Sequence, residues 1–100
     1  MNLADTTSKV KEMGENADAL GSSIKFTFSD TEGVIYVDGT GDGNTISNED
    51  KEAECTINME KATLDGMLAG TLNPMSAFME GKLKIDGDMG AAMKLSAMFS

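Results

Sequence analysis

Between residues 53 and 60 the chain alternates without a break: Ala53, Cys55, Ile57 and Met59 are apolar, and Glu54, Thr56, Asn58 and Glu60 are polar. Successive side chains on an extended strand point to opposite faces, so this run makes a strand with one dry face and one wet face. The same period recurs. Ile24, Phe26 and Phe28 alternate with Lys25, Thr27 and Ser29, and Leu83 and Ile85 alternate with Lys82 and Lys84. "GVIYVDG" is a short β-branched run reached through the turn Asp30-Thr31-Glu32-Gly33, which predicts a hairpin, and "NTIS" reads as a further short strand. A sheet wet on one side only is largely antiparallel and needs a second layer on its dry face.

Helical signals supply that layer. Residues 3–20 carry Val10, Met13, Ala17 and Leu20 on one stripe, with Asp5 or Thr7 as the cap and Gly21 as the stop. Gly14 within that stretch costs about 1 kcal/mol relative to alanine. Leu64, Met67, Leu68 and Leu72 form a stripe after a Thr63 cap. Asn73-Pro74 opens another helix in which Met75, Phe78 and Met79 share a face before Gly81. A last helix, from about Gly87 to Phe99, is apolar nearly all round except at Lys94 and Ser96, so it is buried or meets a partner on its second side. The order predicts a two-layer α+β fold, with residues 1–100 forming one domain.

Composition removes several function classes. Eight lysines against 17 acids leave a net charge of −9, which repels phosphates and argues against a nucleic-acid partner. Histidine is absent and Cys55 is the only cysteine, so imidazole bases, the usual triads, thiolate clusters and an internal disulfide are all excluded. Neither a signal peptide nor a stretch of about 20 apolar residues is visible, so stable membrane insertion is not expected and a cytoplasmic location is. The ending Met98-Phe99-Ser100 is not a peroxisomal address. No cofactor is expected.

Few polar clusters remain to consider. "DGTGDGNTISNE" places Asp38, Asp42, Gly43 and Glu49 where a calcium loop wants them, but Thr40 breaks the third ligand and a strand precedes the loop where a helix is required. It reads as a glycine-rich turn. The pairs Glu49-Asp50 and Asp86/Asp88 read as solvated surface, and Lys82 and Lys84 as protection of a strand edge. Cys55 holds an inward strand position and reads as a small buried hydrophobe.

Methionine is the outlier. Seven of the nine methionines lie in the last 42 residues, while aromatic residues total only five percent and tryptophan is absent. A flexible thioether specifies a rigid core poorly and suits an adaptable apolar surface, so a cavity between helices and sheet, sized for an acyl chain or a sterol, is one reading; ordinary core filler is the other.

"LNPMSAFMEGKLKIDGDMGAAMKLSAMF", residues 72–99, resembles the C-terminal half of sterol-carrier-protein type two domains. The matching positions are Asn73, Pro74, Ala77, Phe78, Gly81, Lys82, Leu83, Lys84, Gly87, Asp88, Met89, Ala92, Met93, Lys94 and Leu95. "AECTINME" is similar to the strand that leads into the family's helices. The resemblance implies a five-stranded, mostly antiparallel sheet with helices on one face, enclosing an apolar lipid tunnel. It also implies ligands among fatty acids, fatty acyl-CoA, phospholipids and sterols, with no catalysis by the domain itself. This chain departs from the pattern at "EKATLDGMLAG", where family members usually carry an acidic helix start, and a domain not fused to an enzyme is expected.

The leading expectation is therefore a non-enzymatic lipid carrier, with Met67, Leu68, Phe78, Met79, Met89 and Met93 lining the cavity and a lipid-using enzyme as a further partner. The alternative is a regulatory module with a filled core that docks through its last helix. For the glycine-rich turn, calorimetric titration is expected to give no calcium dissociation constant tighter than about 10⁻⁵ M, and a tighter value would overturn the turn reading.

Overall fold

The computed structural model describes residues 2–99, and the side chains of Pro74 and of residues 96–99 lie outside that description. The side chain of Met98, counted among the clustered methionines, therefore lies outside the described residues, as does Ser100. The elements run α1 (Leu3–Glu15), β1 (Ser23–Phe28), β2 (Val34–Asp38), β3 (Thr45–Ser47), β4 (Cys55–Met59), α2 (Lys61–Leu68), α3 (Pro74–Met79), β5 (Lys84–Gly87) and α4 (Met89–Phe99). The five strands form one sheet in the order β3-β2-β1-β4-β5. Its pairs are antiparallel except β1 with β4, which is parallel.

Alternation sets the register. Phe26 stands opposite Ile35 on one side and Ile57 on the other, and Ile24 opposite Val37 and Cys55. All six are buried, and with Val10, Leu64, Met67, Ala91 and Leu95 from the helices they form the core. The wet face is partly roofed by the segment that leads from β3 across to β4. Tyr36 Oη donates to the Glu52 carbonyl at 3.1 Å, Lys51 Nζ stands 5.9 Å from the Tyr36 ring centre, and Lys25 Nζ meets Asp50 Oδ1 at 2.8 Å. Tyr36 is thus buried on the face that alternation marks as polar.

The ends of α1 and α2 differ from the sequence expectation. Helix α1 ends at Glu15 and not near residue 20. Asn44, far along the chain, holds the following segment: its amide donates to the carbonyls of Gly14 and Asp18, and its oxygen accepts from Leu20 N–H. Leu20 is still buried, but from an irregular segment. Asn2 caps α1 in a capping box with Asp5, so Asp5 is the third helical residue and not the cap. Thr63 lies inside α2, which lacks a cap bond from its own N-cap Glu60. Asp30 Oδ1 accepts from Lys61 N–H at 2.7 Å instead, and Leu72 falls beyond the helix. By contrast, Asn73 caps α3 as its sequence predicts, accepting from Met75 and Ser76 N–H.

Two glycines have packing reasons. A Cβ at Gly14 would come within 2.6 Å of Ile46 Cδ1, so the helical glycine lets α1 close on β3. Gly87 has φ +113°, and a Cβ there would run into the Glu54 carbonyl.

Helices α1 and α2 are pinned through Asp65. Its carboxylate accepts from Thr6 Oγ1 at 2.6 Å and from Lys61 Nζ at 2.7 Å. Burial opposes its ionisation, but those bonds and the Lys61 charge outweigh burial and hold the carboxyl below its ordinary value. A depressed native value stabilises fully above the unfolded carboxylate range, and that stability is lost as pH falls through the native value. Urea melts should therefore show stability dropping as pH is lowered below about 4. Asp65→Asn should cost roughly 1–2 kcal/mol at neutral pH and flatten that acid limb; an unchanged limb would remove Asp65 from the account.

Candidate functional site

Beside the core the helices leave space over β4 and β5. A cavity of about 280 Å³ is lined by Ile57 and Met59 of β4, Met67 of α2, Met75 and Phe78 of α3, Leu83 and Ile85 of the β5 segment, and Met89, Ala92, Met93 and Leu95 of α4. Every one of these side chains is apolar. Ile57 and Ile85 are register partners and make the floor. Ile57 and Met67 are almost fully buried, while Met75, Phe78, Met89 and Met93 stand between 42% and 69% exposed. Depth and mouth are thus both apolar, and the mouth is open. What the described residues form is a groove; the enclosed tunnel implied by the resemblance is not among them.

Helix pitch explains which residues reach it. Of the six candidates read from the sequence, Met67, Phe78, Met89 and Met93 come together at the groove. Leu68 and Met79 do not line it. Each follows a lining residue by one position, which turns it about 100° round the helix. Leu68 is partly buried against the core, and Met79 is 80% exposed. The floor residues Ile57, Met59, Leu83 and Ile85 were passed over although their alternation marks them as inward, because an inward strand residue reads first as packed core. Ala92 carries no signal of its own in the sequence; its short side chain is what leaves space there.

With no polar side chain on its lining, the groove offers burial and dispersion, which are non-directional. Among the described residues it contains no nucleophile, acid or base. The remaining candidates are occupied locally. Asp38 accepts from the Thr40 hydroxyl and amide, which hold its carboxyl below the usual value. Asp88 Oδ1 accepts from Gly90 N–H at 2.9 Å at the start of α4. Glu49 and Asp50 pair with Lys51 and Lys25.

Cys55 is fully buried next to the groove floor but not in it. Burial pushes its thiol up, and Asp88 and Asp86 add to that. Alkylation of the native protein by iodoacetamide should be slower than in urea by roughly two orders of magnitude or more. Equal rates would show Cys55 to be accessible.

Comparison with known proteins gives this geometry its family. Residues 2–100 match the SCP-2 sterol transfer family, and the chain belongs to it. It is 39% identical over 97 residues to sterol carrier protein 2 of Rattus norvegicus, covering 90% of this chain and 18% of that protein. It is 40% identical over 94 residues to sterol carrier protein 2 of Homo sapiens, covering 87% and 17%. The chain thus spans less than a fifth of the length of these relatives. A palmitated SCP2L2 from Aedes aegypti has the same fold, with TM-score 0.76 at 18% identity over 99% of this chain and 95% of the other. The class is that of lipid-transfer domains.

Proposed function

We propose that residues 1–100 act as one non-enzymatic lipid carrier, taking the apolar part of a fatty acid, fatty acyl-CoA, phospholipid or sterol into the groove over β4 and β5. The observation that carries this reading is the wholly apolar lining, from the floor at Ile57 and Ile85 to the mouth at Met89 and Met93. Family membership and the names of the relatives support it. At about 280 Å³ the space is near the low end of ligand sites, roughly 300–1,000 Å³, which suits a single apolar chain.

The energetics favour reversible holding. Each buried methylene contributes about 0.8 kcal/mol, so a dozen supply on the order of 10 kcal/mol before association and ordering costs of about 4–15 kcal/mol. A net affinity in the exchangeable range follows. Five of the lining residues are methionine, whose flexible thioethers refit to chains of different shape without a fixed polar pattern. Among the described residues no helix is long and apolar enough to cross a membrane. In this reading the protein visits lipid surfaces from the cytoplasm and delivers its cargo to a lipid-using enzyme.

The test fills the space. Ala92 lines the groove with a side chain too short to occupy it, so Ala92→Phe should enter empty volume and leave the unliganded melting temperature close to wild type. A packed core would charge 1–3 kcal/mol or more for the same insertion. Wild type should gain roughly 2.7 kcal/mol of stability with a long-chain lipid at a hundredfold excess over its dissociation constant, and Ala92→Phe should lose most of that gain. No shift for wild type with any of the four lipid classes, together with strong destabilisation by Ala92→Phe, would return the groove to ordinary core.

A further inference from the structure

The β5 segment separates two different environments. Leu83 and Ile85 line the apolar groove, whereas Lys82 and Lys84, alternate with them, line a second cavity of about 640 Å³ whose surface is close to half polar. β5 is an edge strand of the sheet, so no further strand separates the two spaces. Met59, at the end of β4, borders both.

Three observations give the second cavity a chemistry. First, Lys82 and Lys84 are exposed and join no ion pair among the described residues, unlike Lys25, Lys51 and Lys61. Edge protection explains their charge but not their shared position on a concave surface. Second, among the described residues the only acid on that lining is Glu60, so two cations face one anion. The hydroxyl of Thr63, on the same lining, has no hydrogen-bond partner among the described residues and adds a donor. Third, charge is divided along the chain. Residues 1–71 carry the whole net charge of −9, and residues 72–100 balance three lysines against three acids. Both lysines of the cavity come from that balanced part.

We infer that the cavity beside β5 is a head-group subsite, in which Lys82 and Lys84 hold the anionic head of a single-chain amphiphile whose tail lies in the apolar groove. The inference rests on the carrier reading and narrows it. The preferred cargo bears a carboxylate or a phosphate ester, and a neutral lipid binds through its tail alone. The tail passes the edge of β5 beside Met59, whose flexible side chain adjusts to it. The cavity is larger than the groove, so it admits a head bigger than a carboxylate.

The experiment compares three ligands of one chain length, palmitate, hexadecyl phosphate and hexadecanol, by calorimetric titration of the full chain at low and high salt. Both anions should bind more tightly than hexadecanol at low salt, by roughly 2- to 25-fold, the range two exposed ion pairs provide. That preference should shrink at high salt. The double variant Lys82→Gln/Lys84→Gln should bring the anions to the level of hexadecanol and leave hexadecanol unchanged. The charge-keeping double variant Lys82→Arg/Lys84→Arg should retain the preference, and so should Lys9→Gln/Lys11→Gln on α1. A preference for only one of the two anions, lost in the glutamine variant, supports the subsite and identifies its source. The inference is overturned if hexadecanol matches the anions in wild type. It is equally overturned if the glutamine variant weakens all three ligands alike, or if the α1 variant abolishes the preference too. Failure of all three ligands to bind wild type would overturn the carrier reading itself, whereas retained hexadecanol binding isolates the failure to the subsite.

Discussion

Parallel pairing of β1 with β4 is the constraint on which the molecule depends. It places Phe26 between Ile35 and Ile57, with all three buried, and makes β1 the centre of the sheet. Two parallel neighbours cannot be joined by a tight turn. The chain must leave by β2 and β3 on one side and return on the other. The segment leading to β4 makes that return over the wet face, where Tyr36 and Lys25 receive it. Once β4 is laid beside β1, β5 can only add at the outer edge.

The groove follows from that arrangement. Beyond β1 the sheet has only β4 and the short β5, and the layer above them is assembled from α2, the six-residue α3 and α4. Ala77 and Ala91, both fully buried, bring these helices close where they touch the core. Between them, the long side chains at the groove are chiefly methionine. Alanine contact with methionine borders leaves room that a run of leucine or phenylalanine would fill more rigidly. In the proposed reading such a groove holds an apolar ligand by excluding water, with no fixed polar demand inside it.

Much of this was legible before any coordinates. The two-residue period of residues 53–60 correctly marked Cys55, Ile57 and Met59 as inward, and the same period separated Leu83 and Ile85 from Lys82 and Lys84. The Asn73-Pro74 start of α3 was equally plain, because cap and proline act within one turn. Residues 16–20 were misread as helix because their amphipathic spacing is helical, while the bonds that draw them out come from Asn44. Met79 was placed with Phe78 because both fit one broad stripe, but the one-position step turns Met79 about 100° round α3, out to solvent and off the groove lining.

Strand alternation, local caps and the absence of histidine are properties of neighbouring residues, so the sequence by itself determined the layers, the inward sets and the lack of imidazole chemistry. It also determined that soft apolar side chains would concentrate in the last third of the chain. The tertiary structure alone decided that β1 pairs in parallel with β4, that α1 stops at Glu15, and that four of the six chosen side chains meet while Leu68 and Met79 turn away. It also put Lys82 and Lys84 on a second cavity beside the groove. The physical reason is distance along the chain. A period of two or 3.6 residues is encoded within one element, but whether packed elements leave a space depends on contacts between residues dozens of positions apart.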